Sequence, residues 1–202
     1  MDKLFYEHEK QKEGYIFIAG CDEAGRGPLA GPVICASVIM PLNDEDIIEG
    51  VDDSKKLAEK KRIELYDKII NKAISYKISI ISEKIIDEIN ILNATKKGME
   101  EAINGLNQKP DYALVDAVKG LNLVCEYLPI IKGDVLSYSI GCASIIAKVT
   151  RDKLMEDYSK TYTNYGFEKH KGYGTKLHIE ALKKYGKCEI HRESFIKNFV
   201  NN

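Results

Sequence analysis

The sequence predicts an α/β fold in which helices lie on an open sheet, and three features predict it. Apolar runs of strand length at 15–21, 33–40 and 112–115 are bounded by Gly, Pro or acidic residues. Between them, apolar residues recur at helical spacing. From Ser137 a long segment begins whose first half, Ile140-Gly-Cys-Ala-Ser-Ile-Ile-Ala, is apolar or small all round, as expected of a helix buried against a sheet.

Taken in order, residues 1–14 form a polar lead-in with room for a short helix, and 15–21 form the first strand. Asp22 and Glu23 stand at its C-terminal end. Neighbours in a regular strand point to opposite faces, so both carboxylates address one site only if the chain bends there, which Gly25 and Gly27 permit. Residues 33–40 follow a Gly-Pro turn as a second strand, paired antiparallel with the first. The polar loop Val51-Asp-Asp-Ser-Lys-Lys-Leu leads into a helix with apolar positions at Leu57, Ile63, Tyr66, Ile70 and Ala73, and the alternation in 76–82 predicts a third strand.

Ser82 is placed to cap a short helix running to Asn90, and Leu92, Met99, Ile103 and Leu106 share the spacing of the next one. After the turn Gln108-Lys-Pro-Asp, the run from Tyr112 stops on Asp116, and the run Leu128-Pro-Ile-Ile-Lys-Gly stops on Asp134. The long helix spans 137–160. Residues 161–173 are rich in Tyr, Gly, His and Lys, and a further helix is expected at 176–185. The chain reads as one domain, 1–202, with 161–202 as a helical C-terminal segment.

About 200 residues suffice to bury a core. A formal charge of −1 excludes a strongly basic nucleic-acid coat protein, yet from Phe167 onward eight Lys/Arg face four Asp/Glu, a basic segment suited to phosphate. The five cysteines, at 21, 35, 125, 142 and 188, show no Cys-x-x-Cys pair and no His at zinc spacing, which reads as reduced thiols inside a cell. The charged N-terminus lacks a signal-peptide core, and no apolar run approaches membrane-spanning length. The expected location is the cytoplasm, without membrane contact.

An Asp-Glu pair is ordinarily solvated surface, but here three apolar runs end in acid. Groups at the carboxyl ends of strands converge on one edge of an open sheet, which would bring Asp22, Glu23, Asp116 and Asp134 together. Four ionised carboxylates in a small space require cations, and all-oxygen ligation without His or Cys favours Mg²⁺ or Mn²⁺ over zinc. Such an array suits two-metal phosphodiester hydrolysis, one ion activating water and the other stabilising the leaving 3′ oxygen. On composition alone, His170, His178 and His191 read as surface or capping groups, and Asp53-Ser-Lys-Lys as a helix entry. Gly25-Arg26-Gly27 lacks the Lys-Ser/Thr ending of a P-loop.

The segments Asp22-Glu-Ala-Gly-Arg-Gly-Pro-Leu-Ala-Gly-Pro, Asp53-Ser-Lys-Lys, Val115-Asp116, Lys132-Gly-Asp134, Ala143-Ser-Ile-Ile-Ala-Lys-Val-Thr-Arg-Asp and His170-Lys-Gly-Tyr-Gly-Thr-Lys occur in that order. Together they resemble ribonuclease HII, the bacterial type 2 ribonuclease H, from about residue 16 to 195. The resemblance implies a ribonuclease H-like fold, a central mixed β-sheet flanked by helices, with the helical C-terminal segment closing over a duplex. It implies an endoribonuclease that cuts the RNA strand of RNA/DNA hybrids, and DNA duplexes 5′ to single embedded ribonucleotides, leaving 5′-phosphate and 3′-hydroxyl ends in ribonucleotide excision and primer removal.

The same resemblance makes Asp22, Glu23, Asp116 and Asp134 the metal-binding catalytic acids. It assigns Gly25, Arg26 and Gly27 to the ribose 2′-hydroxyl, Tyr173 to stacking on the deoxyribose beyond the junction, and Ser54, Lys55 and Lys56 to phosphate, with Lys148 and Lys176 as further phosphate contacts. Glycine lets backbone approach a sugar closely, and the 2′-hydroxyl is what distinguishes RNA from DNA. Gly141-Cys142 departs from the alanines more usual in the family, a change expected to touch packing. The tail from Ser194 carries no clear sliding-clamp-binding motif, and nothing in the chain demands more than a monomer. A non-catalytic hybrid-binding module is the alternative from another class, though it would have no use for four convergent acids. Ribonuclease HIII is the nearest enzyme rival, but it usually carries a long N-terminal domain, and only about 15 residues precede the first strand here.

Overall fold

In the computed structural model, which describes residues 2–52, 54 and 56–199, five strands form one mixed sheet in the order β3-β2-β1-β4-β5. These are β1 (Ile18–Ala24), β2 (Val33–Ile39), β3 (Ser75–Ile81), β4 (Tyr112–Asp116) and β5 (Glu126–Ile130). Strands β1, β2 and β3 pair antiparallel in that order, β1 and β2 through the turn at 25–32 and β2 and β3 through a long connection, 40–74, that carries a helix, while β4 pairs parallel with β1, and β5 parallel with β4. Strand β1 starts and ends three residues later than its apolar run suggests. Its ladder with β2 continues through Asp22↔Ala36 and Glu23↔Cys35 to Ala24↔Ile34, so the acids stand inside the strand and the bend follows at Gly25.

Alternation along β2 divides the core. Ile34, Ala36 and Val38 face helices α2 (Glu59–Lys72) and α5 (Tyr138–Thr161), whereas Cys35 and Ile39 face α3 (Glu83–Asn104) with Met99, Ala102 and Ile103. Helix α5 crosses β1 where a Cβ on Gly20 would fall 2.1 Å from the Ser139 carbonyl carbon, so only glycine admits this approach. The lead-in forms α1 (Phe5–Lys12). Its Glu7 is fully buried at the start of α5, where Oε1 accepts from Ser137 Oγ at 2.7 Å and from the Ser139 amide at 2.9 Å.

Several expectations shift. Helix α2 buries Arg62, Leu65 and Ile69 and leaves Ile63 exposed, because the Arg62 guanidinium turns inward to the carbonyls of Ser54 and Leu57 at 2.6 and 2.9 Å. Helix α3 breaks at Asn90 (φ 67°), where two helices were expected to meet, and exposes Leu92 while Ala94 and Met99 face inward. Strand β5 ends at Ile130, and Asp134 lies on a separate helical turn, α4 (Gly133–Leu136), entered through Lys132 in the left-handed region. The C-terminal segment forms α6 (Phe167–His170), α7 (Lys176–Tyr185) and α8 (Glu193–Ile196) around Phe167, Tyr165, Ile190 and Met155. No helix among the described residues is long and apolar enough to cross a membrane.

Candidate active site

The parallel ladder between β1 and β4 ends at Cys21↔Val115, so Asp22 and Asp116 are the next residues on two adjacent strands, at the point where pairing stops. Carboxylate oxygens of Asp22, Glu23 and Asp116 lie within 4.8 Å of one another. Asp22 is buried, the other two half-buried. Burial pushes the Asp22 carboxyl well above the usual carboxylate range, the neighbouring Glu23 and Asp116 charges push it further, and the Ser144 hydroxyl and Glu23 amide partly offset the rise. Asp116 Oδ1 accepts from the Gly133 amide at 2.7 Å, which ties α4 to the cluster and puts Asp134 one residue beyond that bond. Asp134 itself stands outside the group of three.

The donor set is all carboxylate, and its acid groups crowd one another in a partly buried corner. These residues fit hard divalent cations such as Mg²⁺ or Mn²⁺. Beside them opens a cleft of about 510 Å³ lined by Glu23, Gly25, Arg26, Gly27, Ser54, Arg62, Ser144, Lys148, Arg151 and Tyr173. Gly25, at φ +99°, turns the chain out of β1 directly over Arg151, whose Nε would lie 2.1 Å from an added Cβ. Arg26 Nη1 is 3.7 Å from Glu23 Oε1.

A match of residues 19–198 to the family described as Ribonuclease HII covers nearly the whole chain. Identity to the Ribonuclease HII of Ruminiclostridium cellulolyticum is 56% over 197 residues, 98% of this chain and 76% of that one. The chain belongs to the ribonuclease HII family. It is a hydrolase, a nuclease of the ribonuclease H class. Its fold is ribonuclease H-like, since ribonuclease H2 from Pyrococcus horikoshii superposes with a TM-score of 0.75 at 30% identity, covering 93% of this chain and all of that one. RNase HII from Archaeoglobus fulgidus, solved in complex with PCNA, gives a TM-score of 0.78 at 26% identity, covering 92% and 97%.

Within this ribonuclease HII cleft the remaining sequence-derived residues are unevenly placed. Tyr173 is partly exposed, with the Arg151 guanidinium 5.9 Å from its ring centre. Ser54 is buried, its hydroxyl 2.9 Å from that of Ser144. Lys148 reaches the cleft but also binds Asp152 at 2.6 Å, and burial lowers its pKa. Lys56 is exposed, Lys55 lies outside the described residues, as do the last tail residues from 200, and Lys176 does not line the cleft, its Nζ lying 3.8 Å from Glu180 Oε1. The histidines are a correction: His170, His178 and His191 are buried in the C-terminal segment, satisfied by carbonyls, amides and one another.

Composition missed Arg62, Ser144, Arg151 and Arg192. Ser144, Lys148 and Arg151 stand at i, i+4 and i+7 on α5, a polar line that begins within its apolar first half, and that spacing was the available signal. Arg151 donates to the carbonyls of Pro32, Lys171 and Ala30 at 3.1, 2.8 and 3.0 Å. Burial pulls Arg151 to about 10 and Arg192 to about 9, which leaves both charged at neutral pH.

Proposed function

We propose that this chain cuts the RNA strand of RNA/DNA hybrids and cuts DNA duplexes 5′ to single embedded ribonucleotides, leaving 5′-phosphate and 3′-hydroxyl ends, in ribonucleotide excision and primer removal. The observation that carries this reading is the shared cleft: Glu23, clustered with Asp22 and Asp116, lines the same cleft as the Gly25-Arg26-Gly27 turn and Tyr173. Asp22, Glu23, Asp116 and Asp134 would hold two divalent cations, Mg²⁺ or Mn²⁺. Bound there, the pair supplies activation of a water for in-line attack and neutralises charge on the leaving 3′ oxygen.

The chain's own residues do the rest. Gly25 lets the chain turn over Arg151, and Gly27, facing the Tyr173 ring, keeps a side chain out of the path of a ribose, so backbone groups of the turn read the 2′-hydroxyl. Tyr173 offers a flat ring for the next sugar. Arg26, Lys148 and the loop that carries Ser54, Lys55 and Lys56 meet the phosphates, positioning the strand without reading its bases. Asp116, oriented by the Gly133 amide, stays fixed while substrate enters. The test is a labelled duplex containing one ribonucleotide, incubated with Mg²⁺ and Mn²⁺ in turn and the product ends mapped. A single cut 5′ to the ribonucleotide, ending in 3′-hydroxyl and 5′-phosphate, is expected; a 2′,3′-cyclic phosphate end would contradict the reading, because it marks attack by the ribose itself.

A further inference from the structure

The two proposed sugar-reading elements come from opposite ends of the chain, yet a Cβ on Gly27 would lie 3.9 Å from the Tyr173 ring. Both are tied to one dipeptide, His191-Arg192. The fully buried Arg192 donates from Nη2 to the Gly25 carbonyl at 2.6 Å, from Nη1 to the Arg26 carbonyl at 2.9 Å and from Nε to the Gly31 carbonyl at 2.8 Å. A trans peptide sets C=O and N–H on opposite sides, so carbonyls of 25 and 26 held on Arg192 aim the amides of Arg26 and Gly27 the other way. Those are the amides a 2′-hydroxyl would meet.

On the other side, His191 Nε2 is 3.0 Å from His178 Nε2, and His178 Nδ1 is 3.0 Å from the Tyr173 carbonyl. A carbonyl only accepts, so the His178 proton is on Nδ1 and its Nε2 accepts from His191. His191 Nδ1 then accepts from the Cys188 amide at 2.9 Å, with the Cys188 thiol 3.1 Å and the Cys188 carbonyl 3.3 Å away. The rings of Tyr165 and Phe167 pack on His191, and a backbone bridge between Ala30 and His191 closes the loop.

We propose that His191 and Arg192 are positioning residues that fix the Gly25–Gly27 turn relative to Tyr173, and so set how strongly cleavage depends on a ribo-to-deoxyribo junction. The proposal rests on reading the turn and Tyr173 as sugar-reading elements. Two variants probe it. Arg192→Lys keeps a charge but loses the planar fork that spans three carbonyls. His178→Asn retains a donor near the Nδ1 position for Tyr173 and gives up the contact with His191.

Each is assayed beside wild type and Tyr173→Ala on two duplexes, one with a single embedded ribonucleotide and one with a uniform RNA strand on DNA. The expected result for Arg192→Lys and His178→Asn is a kcat loss on the single-ribonucleotide duplex on the order of tenfold larger than on the uniform hybrid, the scale of small misplacements in a site. Equal losses on both duplexes, as a merely structural role would give, or no loss, overturn the proposal. If Tyr173→Ala shows no substrate bias, the sugar-reading assignment fails and the proposal with it; if Tyr173→Ala is biased and the other two are not, only the positioning role fails. Should Arg192→Lys not fold, His178→Asn carries the test alone.

Discussion

Asp22 is the residue on which charge and burial bear most heavily. It is buried beside two other acids, so its carboxylate is held against desolvation and repulsion. Asp22→Asn is therefore expected to fold with a thermal midpoint no lower than wild type while its cleavage rate falls on the order of a hundredfold or more, as for lost electrostatic stabilisation at a reacting centre. Thermal unfolding and a cleavage assay check the two halves. Gly25 makes a different demand: at φ +99°, with Arg151 Nε 2.1 Å from an added Cβ, Gly25→Ala should cost about 1–3 kcal/mol in denaturant unfolding. The three clustered acids were legible because each ends an apolar run. Arg192 was not, since it donates to carbonyls at the far end of the sequence, Gly25 and Arg26 among them, and the histidines were not, since what buries them is the packing of their rings on one another and on Phe167.

At the scale of elements, α5 was readable from its small and apolar first half, and Ser137 caps it by accepting from the Ile140 amide at 3.2 Å. What the pattern did not carry was the docking of α1, where Glu7 is the only polar group facing inward from a helix otherwise of surface composition. Glu7 Oε1 meets two donors at the start of α5, so Glu7→Ala should lower stability by roughly 1–3 kcal/mol through the donors left buried. In α2 the expected positions Tyr66 and Ile70 do pack on the core, around the more deeply buried Leu65 and Ile69, and only Ile63 turns outward, next to Arg62, whose guanidinium reaches in to the carbonyls of Ser54 and Leu57.

The whole molecule is a sheet carrying acids at the carboxyl ends of β1 and β4 and a C-terminal segment, with histidines packed inside it, that Arg151 and Arg192 tie to the turn after β1. His178 and His191 are drawn from 6.5 to about 4 by burial, aided by their neighbouring rings, His170 among them. The sign is that of a depressed basic group: the unfolded chain binds protons first, so stability from these rings is present above about pH 6.5 and is lost as pH falls toward 4, by on the order of 3 kcal/mol for one ring. Denaturant midpoints measured between pH 7 and pH 4 should fall, and fall less in His178→Asn. The account as a whole depends on the acid edge holding divalent cations against an RNA linkage. Cleavage of a duplex with one ribonucleotide, compared between wild type and Asp22→Asn at equal duplex occupancy in Mn²⁺, tests that most directly. The account predicts a cut by wild type that vanishes in excess chelator and a variant slower on the order of a hundredfold or more; a variant that cuts at the wild-type rate, or a wild type that cuts without divalent ions, contradicts it.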